Sequence, residues 1–316
     1  MKNHEVENLA IYYSQLMDLR VDFAFKTFVE GNPEALISLL NAIFANAKIN
    51  RIVKGVRLKN PNMDKKSLED KLSILDVRAE LDDGTDILIE MHLHGLSQLK
   101  SKTIRSWARA YSEELEAGQH YTEQPPTITI AFADGAVEPL QKPKTSNDKI
   151  HRVCMIMDKE DGTIFSEALE LHYINMKAFA KAVNEADSII IAETNEDMFA
   201  YWLSIITEKE IKNKEIIENV RKKKEVIRMA VSAIAKQSED KIMRQAYQRR
   251  KDEIFFHKAE LAKHLRIAEE AMRRSEQDRR QSEQYRRQAE HDRQLAEQTK
   301  TENEILRKRL AELESK

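Results

Sequence analysis

Three residues in the first third of the chain have the types and spacing of a hydrolytic site: Asp76, Glu90 and His92. Ile87, Ile89, Met91 and Leu93 alternate with Leu88, Glu90, His92 and His94. Successive side chains on a strand point to opposite faces, so this run predicts a strand over 86–94 with Glu90 and His92 on one face. The run over 72–81 alternates in the same way, with Leu75, Val77 and Ala79 against Ile74, Asp76, Arg78 and Glu80. Between the two lies Asp82-Asp83-Gly84-Thr85, a hairpin signal. A hairpin in register carries Asp76 toward Glu90 and His92. Two carboxylates at one sheet edge supply hard oxygens, half of a magnesium site that keeps waters for a phosphodiester oxygen or a nucleophile to share. The third residue then orients, activates or deprotonates the attacking water, or stabilises charge on the phosphate. On these three residues alone, solvated charges at a sheet edge are the plainer reading, and His92 and His94 read equally well as a satisfied polar pair. The chain contains no His-Glu-x-x-His spacing, which argues against a zinc hydrolase.

The elements that must position these residues follow from apolar period and chain breakers. Residues 18–46 predict two helices, with Phe23, Phe25 and Phe28 in the first and a break at Gly31-Asn32-Pro33. A strand is predicted over 49–58, ended by Asn60-Pro61-Asn62. A helix is predicted over 100–116, closed by Ala117-Gly118. Pro125-Pro126 opens a buried strand over 127–132, and strands over 153–157 and 168–176 flank the Asp161-Gly162 turn. Beyond Lys177 the pattern is helical throughout, apart from a break at 194–197.

The last Gly is Gly162 and the last Pro is Pro143, so the second half lacks both strong breakers and reads as continuous helix. A formal net charge of -2 hides a split: residues 1–220 carry 26 Lys+Arg and 36 Asp+Glu, whereas 221–316 carry 26 and 18. The basic excess lies in 221–280. That asymmetry favours a polyanionic or acidic partner for the C-terminal part. Cys154 is the one cysteine, so no internal disulfide or cysteine zinc cluster exists, and a reducing compartment fits. No apolar stretch follows Met1, and the longest apolar runs fall far short of the ~20 residues that span a bilayer. A cytoplasmic protein without a membrane anchor is expected.

From Ala268 a seven-residue repeat sets in, with Glu269, Glu276, Glu283, Glu290, Glu297 and Glu304 at equal spacing. Arg273, Arg280 and Arg287 follow the first three at i+4, the better ion-pair orientation on a helix, at about 0.2–0.5 kcal/mol per pair. The seam positions are small or polar until Leu306, Leu310 and Leu313, whereas a strong coiled coil needs bulky apolar residues there. A long solvated helix is expected, with weak pairing or self-association confined to its end.

The blocks Asp22-Phe23-Ala24-Phe25-Lys26 with Phe28, Leu40-Asn41-Ala42-Ile43, Leu75-Asp76-Val77, Gly84 with Ile87-Leu88-Ile89-Glu90-Met91, Arg105, Tyr111, Gly118, Tyr121 and 126–130 occur in order. Through them, residues 18–135 resemble the PD-(D/E)XK nuclease-like family of recombination-promoting nucleases and transposases. Weaker similarity continues through Leu169-Glu170-Leu171-His172-Tyr173-Ile174 and the Trp202 helix to about Glu260. The resemblance implies an α/β, restriction-endonuclease-like fold: a central mixed sheet flanked by helices, here with a long C-terminal helical extension. It implies a metal-dependent DNA endonuclease using Mg2+ or Mn2+, with Asp76 and Glu90 as metal ligands. His92 takes the last motif position, where the superfamily has Lys and this branch usually has Gln. A neutral imidazole takes or gives one proton but supplies no fixed ammonium charge, so His92 works as a base, ligates metal or marks a weakened enzyme. The rival implication is an inactive nuclease fold serving as a protein- or DNA-interaction platform.

Around that core, Asp22 either approaches the metal or forms an i,i+4 ion pair with Lys26. Arg105 holds a phosphate, holds Glu90, packs or is solvated. Tyr111 lies on the same helix and reads more simply as a core aromatic with a hydrogen-bonded hydroxyl. Arg221, Lys222, Lys223 and Lys224, with Arg249 and Arg250, are the candidates for DNA-backbone contacts, against a solvated helix face. Three regions are expected: a nuclease-like core over 1–176, a basic helical region over 177–267 that completes and flanks it, and the heptad helix over 268–316.

Overall fold

A computed structural model describes residues 2–59, 77–93, 96–113, 115, 120–137, 149–188 and 197–314. The chain forms two compact units, residues 1–252 and 253–316. Within the first, three N-terminal helices, α1 (Lys2–Gln15), α2 (Asp22–Gly31) and α3 (Pro33–Asn46), precede β1 (Val56–Lys59). The hairpin β2 (Val77–Leu81) and β3 (Asp86–His92) is followed by α4 (Leu96–Glu113), β4 (Thr127–Ala133), β5 (His151–Met157) and β6 (Ile164–Asn175). The helices α5 (Met176–Ala186), α6 (Met198–Ile206), α7 (Lys214–Lys223) and α8 (Glu225–Glu239) complete it with the start of α9 (Lys241–Glu314).

The six strands form one mixed sheet in the order β1-β2-β3-β4-β6-β5. β1-β2-β3 are antiparallel, β3-β4-β6 parallel, and β5 returns antiparallel along β6. The two parallel strands β3 and β4 are buried at every position, the signature of strands covered on both faces. The β2–β3 turn closes through Leu81 N–H donating to the Thr85 carbonyl at 2.9 Å and Gly84 N–H donating to the Leu81 carbonyl at 3.0 Å. Gly84 adopts φ 85, a left-handed backbone that disfavours any Cβ.

Alternation along β3 and β4 divides the core into two layers. On one side α4 packs over Ala131, Ala133, Leu171 and Tyr173 through Leu99, and over Leu88 through Ala110. The small Ala131 and Ala133 leave room for that helix, and Leu96 Cδ1 would lie 2.7 Å from any Cβ on Gly135. On the other side Phe25 meets Phe132 at 6.0 Å and Phe44 meets His172 at 5.8 Å between ring centroids. Trp202 of α6, fully buried, packs on Phe28 and donates its indole N–H to Ser38 Oγ at 3.1 Å.

Some elements differ from expectation. α1 was not predicted, and the strand expected over 49–58 is confined to Val56–Lys59. Residues 72–76, and the break expected at 194–196, lie outside the described residues. The reading of uninterrupted helix beyond Lys177 is corrected. Without Gly or Pro, the chain breaks where a side chain replaces the missing helical acceptor: Asp197 accepts from Ala200 N–H, Asn213 from Glu215 N–H and Asp240 from Met243 N–H. Lys224 separates α7 from α8 in extended backbone. Among the described residues no helix is long and apolar enough to cross a membrane.

On the face away from α4, a second polar chain runs from exposed Asn46 through half-buried His151 to the buried His172 and Glu170 of β6. Asn46 Oδ1 bonds His151 Nδ1, His151 Nε2 bonds His172 Nδ1, both at 2.8 Å, and His172 Nε2 bonds Glu170 Oε1 at 2.5 Å. Phe199 stacks on His151. Burial, and secondarily the neighbouring His172, push His151 down from 6.5 to about 3. The unfolded chain therefore binds a proton that the native chain refuses between those values, so the contribution is complete above about pH 6.5 and is lost as pH falls. His151→Gln should flatten the acid limb of the stability curve by up to about 1.4 kcal/mol per pH unit between pH 4 and 6. Urea unfolding of both proteins at several pH values measures it, and parallel curves would exclude this role.

Candidate active site

β3 presents Leu88, Glu90 and His92 toward α4. The placement is seen from their β4 partners: Glu90 stands opposite Ala131 and His92 opposite Ala133, both in the cluster under Leu99. Glu90 is 1% exposed and His92 8% exposed. His92 Nε2 lies 2.7 Å from Glu90 Oε2, so the i, i+2 spacing on β3 closes a direct side-chain contact. Lys102 Nζ, from the second turn of α4, lies 3.2 Å from the same Oε2. Burial works to raise the Glu90 carboxyl, but the His92 hydrogen bond, the Lys102 charge and the nearby Ser106 hydroxyl more than offset it and hold the group below its usual range.

Glu90 Oε1 is buried with no hydrogen-bond partner among the described residues. A buried carboxylate oxygen left unpaired is costly, and a hard divalent cation satisfies it with the oxygen ligand such ions prefer. In this respect the site fits a metal. Among the described residues no group of three His, Cys, Asp or Glu could hold a metal ion. Asp76 lies outside the described residues; its sequence neighbour Val77 pairs with Ile89, next to Glu90.

Further along the same face of β3, Asp86 is fully buried. Arg78 Nε reaches its Oδ2 at 3.0 Å and Lys59 Nζ its Oδ1 at 3.3 Å, while Arg78 Nη1 meets Glu113 of α4 at 3.2 Å. This network fixes the hairpin beneath the far end of α4. Tyr173 of β6, in the next-but-one strand from Glu90, shares a 2.6 Å hydrogen bond with Thr103 of α4. Burial, first of all, raises its phenol. The middle of α4 and its C-terminal end are thus tied to the sheet.

The other candidates stand elsewhere. Asp22 does not pair with Lys26: Arg250 of α9 grips its carboxylate, with Nε at 2.8 Å from both oxygens, and Lys26 pairs with Glu30 at 3.9 Å. The reason is reach: a guanidinium fork arriving from α9 matches both carboxylate oxygens, which a lysine on the same helix cannot do. Arg250→Ala should cost about 1 kcal/mol, less at high salt because the pair is partly exposed. Chemical denaturation at low and at high salt checks this. An unchanged midpoint at low salt would show the pair to be energetically idle.

Arg105 is exposed, and it is Lys102, three residues earlier, that meets Glu90. Tyr111 stacks on Trp107 with ring centroids 5.2 Å apart, half-buried. Of the basic candidates, Arg221 and Lys222 pair with Glu218 at 3.3 and 3.7 Å, and Lys223 Nζ sits 5.7 Å from the Tyr201 ring centroid. Lys224 is the residue between α7 and α8, Arg249 is exposed on α9, and Arg250 is engaged by Asp22. Sequence reasoning passed over Lys102. The buried positions Leu99, Thr103, Ser106 and Ala110 mark the sheet-facing stripe of α4, and Lys102 flanks it; that stripe was the available signal.

A mixed sheet flanked by helices, with a buried acidic residue on a central strand beneath a crossover helix, is the architecture of the PD-(D/E)XK nuclease fold. The family model for PD-(D/E)XK nuclease family transposases matches residues 19–264, well over half of the chain. The chain belongs to this family. Searches of curated proteins and of solved structures each gave no match.

Proposed function

We propose that the protein is a magnesium-dependent DNA endonuclease, hydrolysing phosphodiester bonds in the service of recombination or transposition. The observation that carries this reading is Glu90 Oε1: an ionised, buried carboxylate oxygen without a partner among the described residues, on a central strand of a nuclease-family sheet. Glu90 and Asp76 would hold the cation, Mg2+ or Mn2+, which supplies Lewis-acid polarisation of the phosphate and an acidified water. Glu90 Oε2 orients His92 through Nε2, and with Nε2 donating, Nδ1 is left as the acceptor that positions or deprotonates water. Tyr173 and Ala131 wall the site from β6 and β4. Arg249, exposed on α9, is the proposed nonspecific phosphate contact.

A second reading, an inactive fold used as an interaction platform, draws on His92 standing where the family carries Gln or Lys. One assay separates the two. Purified protein is incubated with supercoiled plasmid and magnesium beside Asp76→Ala and Glu90→Ala. The nuclease reading expects nicked and linear product from wild type alone; equal traces from all three overturn it.

A further inference from the structure

We infer that Lys102 is the phosphate-contacting cation of the site, so that the fixed positive charge absent from strand position 92 is supplied by α4. This rests on the nuclease reading above and adds to it the residue that meets the substrate's charge. Three observations converge. His92 turns its Nε2 onto Glu90 at 2.7 Å, and imidazole carries no permanent charge. Lys102 Nζ stands 3.2 Å from Glu90 Oε2, the oxygen His92 also uses, which leaves Oε1 unpaired among the described residues. The Lys102 side chain is 52% exposed whereas Glu90 is buried, so the ammonium sits at the boundary between the site and solvent, where an incoming phosphate arrives.

The division of labour follows from this geometry. Glu90 keeps Oε2 for its two donors and leaves the buried Oε1 for a cation. Lys102 has three N–H donors and spends one on Glu90; the others remain for a non-bridging phosphate oxygen. Its flexible four-carbon stem lets the ammonium adjust to that oxygen, while Thr103 ties α4 to the sheet by its hydrogen bond to Tyr173 at 2.6 Å. As negative charge builds on the phosphate during attack, a preplaced ammonium is worth more to the transition state than to the ground state.

The test compares full-length wild type, Lys102→Met, Lys102→Arg and Glu90→Ala. Steady-state cleavage of a DNA duplex with magnesium is one readout, and Mn2+ binding by titration calorimetry is the other. The inference expects Lys102→Met to lose about 30- to 100-fold in kcat with KM changed less than about threefold, and Lys102→Arg to recover part of the loss. Mn2+ should bind Lys102→Met at least as tightly as wild type, because a cation competing for Glu90 has been removed. Cleavage by Lys102→Met within about threefold of wild type overturns the inference while leaving the nuclease reading intact. Loss of Mn2+ binding in Lys102→Met also overturns it, since the residue would then act by building the metal site. Wild type cutting no better than Glu90→Ala overturns the nuclease reading, and the role of Lys102 with it.

Discussion

Glu90→Gln should abolish magnesium-dependent cleavage, by a factor on the order of 10²–10³, while the protein stays folded. The substitution keeps the volume of the side chain and an acceptor oxygen, but removes the negative charge that Lys102 and His92 now share. An amide oxygen is a far weaker partner for a divalent cation than a carboxylate oxygen. Burial already works against the ionised form of Glu90, so its charge persists only because His92, Lys102 and Ser106 outweigh that cost. The neutral variant is relieved of the desolvation cost and loses the attraction, and the thermal midpoint should move little. Cleavage kinetics and melting on the same preparation make the check. A variant that melts like wild type and cuts like wild type would remove Glu90 from the chemistry.

The largest expected effect on stability lies on the opposite face of the sheet. Trp202→Ala should destabilise the protein by about 3–5 kcal/mol, measured by denaturant unfolding. Trp202 is fully buried, packs on Phe28 at 6.5 Å between ring centroids, and donates its indole N–H to Ser38. Truncation leaves a cavity between α2, α3 and α6 and strips Ser38 of a partner. Trp202→Phe fills most of that space and isolates the hydrogen bond, with an expected cost nearer 1–2 kcal/mol. A loss below about 1 kcal/mol for the alanine variant would mean that the helical layer collapses around the gap.

Much of the site was legible because strand periodicity leaves little freedom. Once Asp82-Asp83-Gly84-Thr85 reads as a turn, alternation puts Glu90 and His92 on one face, and the structure brings their side chains together. The resemblance implied a central mixed sheet, and the strands over 127–132 and 168–176 were read from their apolar runs, but which strands run parallel was seen only in the structure. Lys102 was not legible, because which residue of a crossover helix overhangs a given strand depends on how the helix crosses the sheet. Small residues on the neighbouring strand, Ala131 and Ala133, set that approach. The Asp22–Arg250 pair spans 228 residues of sequence, beyond any local pattern. The helix breaks at Asn213, Lys224 and Asp240 were missed because side-chain capping and a single extended residue do the work usually given to Gly and Pro.

β3 is used on both faces at every position: Ile87, Ile89 and Met91 face one core layer, and Leu88, Glu90 and His92 the other. Mutational tolerance in this strand is therefore a matter of length as well as identity. A one-residue insertion or deletion between Leu81 and Glu90 would turn the carboxylate and imidazole into the apolar layer beside Phe132 and bring isoleucines under Lys102. Exchange of Ile87 or Ile89 for Val or Leu keeps the frame and costs about 1 kcal/mol. Chains that descend from a common ancestor with this site should thus accept exchanges between apolar side chains of similar volume along β3 while keeping the parity of the hairpin. The number of residues across the turn, more than any one side chain, keeps Glu90 and His92 on the α4 side of the sheet.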